Sequence, residues 1–330
     1  MNTNNVPIIH IKKSEIPMVY LDTCIMIELL RYENGVCKSE YYKEIEELYD
    51  ILAKLIGKKK ILCPLGHQLI EMGISEKREK ARNFLYSFTN AQLQEPEIIE
   101  KEELDFGYQA YCNEQPTMVF DAEFVIEKDK NPASQFNVHV TPIYKKTKLE
   151  RLKAEKKNTV NLLNAVKKSQ KIAANLEQQL ALELQADFQV FKFILEHAFD
   201  SEEALIVFFD SIRNILSRVG CEVNVFNPDC ISAVEKHNGF LLSCYHHRLP
   251  YVWIQSVLWA HRMQQGKKIE DGDRLDTVWA AAYLPFIDYA LTDINFCDLL
   301  QSTGLSKQYN VQVYSVKTLC KFISKLKVLL

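Results

Sequence analysis

The sequence predicts an α/β protein: a parallel sheet flanked by helices, with a large, mainly helical insertion between the two halves of the sheet. Three observations lead there. Short apolar runs near both ends stop on a carboxylate and pass straight into a helical pattern, as in MVYLDTCIMIELL (residues 18–30) and YALTDINF (289–296). Strand-like and helix-like stretches alternate around them, the order that builds parallel sheets. The middle, from about residue 95 to 265, carries few strand signals and long stretches at helical spacing. The expected division is therefore a core in two parts, residues 1–92 and 250–330, around a helical insertion at 93–249.

Taken in order, residues 18–21 read as a buried strand ending at Asp22, and Ile25, Ile27, Leu29 and Leu30 begin a helix. Ile45, Leu48, Ile51, Leu52 and Leu55 give a second helix over residues 41–56. ILCP predicts a short strand broken at Pro64, because proline lacks the donor a ladder needs. GHQLIEMG then reads as the first turns of another helix. Residues 147–198 hold no Gly or Pro and keep apolar positions at helical spacing. Their length predicts a helical hairpin or coiled-coil-like arm rather than one ordinary helix. Residues 199–218 form a further helix. The segment between Pro116 and Pro142 reads as a small hairpin or a loop, and residues 221–226 as a short strand. Near the C-terminus, DYALTD and VQVYSV are strands separated by a helical turn, and residues 316–329 close the chain as a helix.

Bulk properties narrow the function class. The chain has 330 residues, 47% of them hydrophobic, enough to fold around a sizeable core. Its net charge of −3 gives no global signature of nucleic-acid binding, so such binding needs a local patch. One exists: residues 145–171 carry ten Lys or Arg against two Glu. Lys153, Lys156, Lys157, Lys167 and Lys168 are its candidate phosphate contacts. Aromatic residues are absent from it, so base stacking is not suggested. A solvated helix face is the plainer alternative. No two of the nine cysteines stand as CxxC, which argues against a zinc ribbon or a thioredoxin-like site. There is no signal-peptide-like apolar core and no bilayer-length apolar run, so the expectation is a cytoplasmic protein without membrane contact.

Acids mark the candidate site. Asp22 and Asp293 each end an apolar strand, and adjacent parallel strands would aim both into one crevice. Glu71 lies on the helix after the second strand, and Asp276 near the start of a helix whose apolar residues follow. Such a group repels itself unless a cation sits within it. Hard divalent cations take oxygen ligands, and their use among acids is phosphodiester hydrolysis. The alternative for each acid alone is a helix cap or a surface charge.

In this order and spacing, LDTCIMIELL, ILCPLGHQLIE, RLDTVWAAAYLPFIDYALTD and LTDINF resemble the PIN-like nuclease domain. LPFID resembles a bacterial PIN-like subgroup in which a leucine-proline-aromatic segment and an aspartate precede the last acidic strand. The resemblance covers about residues 16–90 and 250–330. It implies a Rossmann-like parallel sheet and cleavage of RNA, or less often DNA, with Mg²⁺ or Mn²⁺. Asp22, Glu71, Asp276 and Asp293 match the family's metal-site acids, with Asp273 and Asp288 as secondary candidates and Thr23 and Thr292 as outer hydrogen-bonding partners. Enzymes of this kind act as toxins, in RNA processing and in phage defence. Members are often half this length, and the helical middle has no counterpart, which leaves substrate and partner open. A haloacid-dehalogenase-like phosphatase needs a second Asp where Cys24 stands, and a topoisomerase-primase site needs one where Asn295 stands. A reading of a different class is an inactive PIN-like scaffold that assembles, as a homo-oligomer or with a partner protein, through residues 145–198.

Overall fold

A computed structural model describes residues 6–66, 68, 72, 78–127, 173–218, 228–265 and 268–330. The chain begins with β1 (Ile8–Lys12), β2 (Val19–Leu21), α1 (Thr23–Glu33), α2 (Tyr42–Gly57), β3 (Pro64–Leu65), α3 (Arg78–Phe88), β4 (Ala91–Gln92), α4 (Pro96–Cys112) and β5 (Thr117–Asp121). It continues with α5 (Leu176–Leu184), α6 (Ala186–Glu196), α7 (Glu202–Arg218), α8 (Pro228–Leu241), α9 (Cys244–His247) and α10 (Pro250–Gln264). The last stretch is α11 (Asp271–Tyr283), β6 (Tyr289–Thr292), α12 (Ile294–Ser302), α13 (Leu305–Gln308), β7 (Gln312–Ser315) and α14 (Leu319–Lys327).

Two compact units result. One, the sheet unit, takes residues 11–99, 120–170 and 268–330; the other, the helical unit, takes 1–10, 100–119 and 171–267. These divisions fall at other points than the expected 92 and 249. In particular, α10 belongs to the helical unit and not to the C-terminal part of the core.

In the sheet unit, β2, β6 and β7 pair in that order and all run parallel, with Leu21 opposite Leu291 and Thr292 opposite Ser315. An isolated parallel bridge joins Met18 to Leu62, through bonds from Val19 N to Leu62 O (2.8 Å) and from Leu62 N to Pro17 O (2.9 Å). β3 in turn pairs parallel with β4. That single bridge sets the two-stranded sheet β4–β3 beside the three-stranded sheet β2–β6–β7, so the strands follow one another as β4, β3, β2, β6, β7. With β1 and β5 left out, because they form a two-stranded sheet of their own, the order along the chain is 3-2-1-4-5. Strand order reverses between β2 and β6, and such a switch point opens a crevice at the carboxyl ends of the strands. Pro64 lies inside β3 instead of ending it. The ladder to β4 uses the carbonyls of Cys63 and Leu65, which accept from Asn90 N and Leu93 N, so the missing proline donor costs nothing there.

Alternation along β2 sends neighbouring side chains to opposite faces. Val19 and Leu21 join Leu291 in a core with Ile25, Met26 and Leu29 of α1, Leu48, Leu52 and Leu55 of α2, and Phe322 and Leu326 of α14. Tyr20 points the other way, and its ring lies 4.2 Å from that of Trp279 on α11. α1 begins at its Asp22 cap and ends where Gly35 turns left-handed at φ +67°, with Val36 N bonded to Arg31 O. α12 begins at Asp293 and stops before Gly304, at φ +75°.

In the helical unit, the helical hairpin or coiled-coil-like arm expected over residues 147–198 is described only from residue 173, as two short helices. Asn175 starts α5 by accepting from Gln178 N (2.9 Å), and Gln264 of α10 holds the Ala173 carbonyl at 2.9 Å. The chain then breaks at Gln185 before α6. Capping and packing on α10 override the uninterrupted helical pattern. Residues 147–172, and the strand expected at 221–226, lie outside the described residues. The segment between Pro116 and Pro142 is described as far as residue 127. There strand β5 pairs with β1 in a two-stranded sheet, and the rest of the expected hairpin or loop lies outside the described residues.

Candidate active site

The site is built where β2 and β6 end side by side. Asp22 follows Leu21, and its N–H donates to Leu291 O at 2.9 Å, continuing the ladder one residue past the strand. Its carboxylate is held on both oxygens. Oδ1 accepts from Thr23 N at 2.6 Å, and Oδ2 accepts from the Thr292 hydroxyl at 2.8 Å. Asp293 follows Thr292 and accepts from Asn295 N (2.8 Å) and Phe296 N (3.1 Å). Both bonds go to Oδ1, which leaves Oδ2 uncommitted among the described residues. Two half-buried carboxylates thus stand on adjacent strand ends, each at the start of a helix.

Cys24 stands beside Asp22, and its thiol is shifted upward. Desolvation pushes its thiol up most, followed by the Asp22 and Asp293 carboxylates. The residue as a whole is exposed, but Sγ sits 3.7 Å from Asp22 Oδ2. The crowding of the sulfur, not the openness of the residue, decides its titration.

Asp276 is the sixth residue of α11, one turn deeper than expected, and is half-buried. It lies one turn before Trp279, on the same side of the helix. The Trp279 ring packs on Tyr20 (4.2 Å) and on Phe296 (5.7 Å), which stand two residues before Asp22 and three after Asp293. α11 therefore passes beside the strand ends that carry the two acids. Asp273, by contrast, works in a capping box. Its Oδ2 accepts from Glu270 N at 2.7 Å while the Glu270 side chain accepts from Asp273 N. Asp288 precedes β6, so it stands at the opposite end of the strand, about 16 Å along it from Asp293. There it accepts from Met18 N at 2.8 Å and faces Lys13 Nζ at 3.7 Å. Asp288 ties the amino edge of the sheet together, away from the other acids. Glu71 and all five candidate lysines lie outside the described residues.

Among the described residues, no three His, Cys, Asp or Glu side chains form a group that could hold a metal ion. Asp22 and Asp293 are the pair around which one would be built. No protein-family model, curated protein or solved structure matches this chain.

Sequence reading missed Gln68. It is fully buried, with Nε2 donating to Leu21 O (2.8 Å) and Oε1 accepting from Gly66 N (2.7 Å). Nothing in its spacing singles it out, because both partners are backbone groups. His246, in the helical unit, is fully buried, with Nε2 3.0 Å from Asp187 Oδ2.

Proposed function

We propose that this chain is a metal-dependent nuclease of PIN-like architecture, hydrolysing phosphodiester bonds in RNA in preference to DNA. One observation carries the reading: Asp22 and Asp293 end the two adjacent parallel strands at the switch point of a 3-2-1-4-5 sheet. Ligands of open α/β sheets bind at that position. The donor set suits a hard divalent cation. Mg²⁺ takes one or two carboxylates and keeps several waters, so Asp22 and Asp293 suffice as a nucleus, with Asp276 and Glu71 as further ligands. When bound, Mg²⁺ or Mn²⁺ supplies Lewis acidity toward a phosphodiester.

The chain's own residues do the rest. The Thr292 hydroxyl and Thr23 N–H fix the Asp22 carboxylate in one orientation before any ligand arrives. The two helix starts limit self-repulsion, since their N–H groups take part of the negative charge. Capping and ligation are compatible, because a carboxylate offers about four lone-pair positions and capping uses only some of them.

The test is cleavage of single-stranded RNA and DNA with Mg²⁺ or Mn²⁺, with EDTA and Asp22→Asn as controls. Asparagine keeps the volume and is as good a cap as aspartate. The expected outcome is full loss of cleavage in the variant, with an unchanged unfolding midpoint. Cleavage by Asp22→Asn at the wild-type rate would remove Asp22 from the site.

A second reading, an assembly scaffold, draws on the helical unit. Phe193, Phe199 and Ile206 are 61%, 85% and 55% exposed, close together in sequence across α6, α7 and their connection. Exposed apolar clusters of this kind mark interaction surfaces. On that reading, Phe193→Asp and Ile206→Asp lower the mass of an oligomer in solution while any cleavage is unaffected.

A further inference from the structure

We infer that Gln68 is a positioning residue for the Asp22 carboxylate, an assignment that rests on the nuclease reading. Asp22 can serve a cation only if the peptide that carries it is held still, since ligands displaced by tenths of an ångström lose affinity. The Leu21–Asp22 peptide is gripped from both sides. On one side Asp22 N donates to Leu291 O of β6. On the other side the Leu21 carbonyl, the last of β2, accepts from Gln68 Nε2 at 2.8 Å.

Gln68 is itself locked. Its side chain is 0% exposed, and its Oε1 accepts from Gly66 N at 2.7 Å, which fixes which end of the amide points at Leu21. Gly66 follows β3 directly, so the single side chain joins the carboxyl ends of two neighbouring strands. A Cβ on Gly66 would lie 3.4 Å from both Gln68 Oε1 and Leu93 Cδ1, in ordinary van der Waals contact. A side chain branching beyond Cβ at 66 would press on the amide.

The chain of contacts runs Gly66 N–H, Gln68 amide, Leu21 carbonyl, Asp22 backbone, Asp22 carboxylate. Gln68 touches neither the carboxylate nor a substrate. Its effect is on where the carboxylate stands. Partners of this indirect kind change metal affinity by about 10- to 100-fold when removed.

The experiment measures Mn²⁺ binding by electron paramagnetic resonance on the full chain, beside cleavage kinetics and thermal unfolding. The proteins are wild type, Asp22→Asn, Gln68→Met and Gly66→Val. Methionine fills the same volume without either hydrogen bond. Gln68→Met is expected to weaken Mn²⁺ about tenfold or more and to lower kcat, with KM for RNA unchanged. Gly66→Val, whose methyl groups reach past the Cβ toward the amide, is expected to shift both in the same direction by less. If Gln68→Met does not fold, Gly66→Val carries the test by the same two readouts. Wild-type Mn²⁺ affinity in a folded Gln68→Met, or in Gly66→Val should that stand alone, overturns the assignment. If Asp22→Asn loses Mn²⁺ in that case, the nuclease reading survives it. If wild type itself binds no Mn²⁺, both fall together.

Discussion

At the scale of single residues, the same aspartate answers two needs. Asp22 and Asp293 cap helices, and both stand at strand ends where a cation site belongs. The sequence displays the residue type and the strand before it, but both roles require the same pattern, so the pattern cannot separate them. Glu103 was illegible for another reason. It is fully buried in the helical unit, and its Oε2 accepts from Tyr251 N at 2.9 Å, 148 residues away. It thereby caps α10, whose own N-cap Leu249 has no side chain for the task. Desolvation dominates its titration, opposed by the Tyr251 N–H and helped by Glu100, and pushes its pKa up to about 8 from 4.5. Between those values the folded protein keeps a proton that the unfolded chain has released. Stability from this group is therefore complete below about pH 4.5 and is lost as pH rises to about 8, with a slope of about 1.4 kcal/mol per pH unit. Glu103→Gln should flatten urea-unfolding stability against pH across that window. An unchanged slope in the variant would mean that Glu103 is ionised in the folded state.

At the scale of elements, the strands with apolar alternation and a carboxylate stop were readable, as were α1, α2, α7 and α12. The parallel pairing of β2 with β6 was expected from their terminal acids, whereas register and the other strand partners were not readable. The bridge between Met18 and Leu62, which links β2 to its neighbour, rests on one residue pair and leaves no pattern. The break at Gln185 was hidden because every residue near it has ordinary helix propensity. α11 shows what packing adds. Asp276 gains its place from Trp279, which is 2% exposed between Tyr20 and Phe296. Trp279→Ala should cost about 3–5 kcal/mol of unfolding free energy, the usual range for a buried large aromatic. It should also weaken Mn²⁺ binding by loosening α11 on the sheet. A loss near 1 kcal/mol would show that α11 does not depend on that ring. Leu29→Ala, in the core on the opposite face of β2, should cost about 2–5 kcal/mol and leave Mn²⁺ binding intact in the folded fraction.

At the scale of the whole molecule, a parallel sheet and a helical unit share one chain that passes between them several times. Among the described residues, no helix is long and apolar enough to cross a membrane. The basic stretch at 145–171 is the one strongly charged feature that the nuclease reading uses for substrate. Reversing Lys153, Lys156, Lys157, Lys167 and Lys168 to Glu should weaken RNA affinity and flatten its dependence on salt, with Mn²⁺ binding unchanged. Unaltered salt dependence would assign those lysines to solvent or to a protein partner. Crystals soaked in Mn²⁺ and measured for anomalous scattering locate any cation held by the two strand-end acids. A peak is expected within about 2.2 Å of a carboxyl oxygen of Asp22 or Asp293, lost in Asp22→Asn. Crystals that bind Mn²⁺ only elsewhere, or show nothing at that edge of the sheet, would rule the site out.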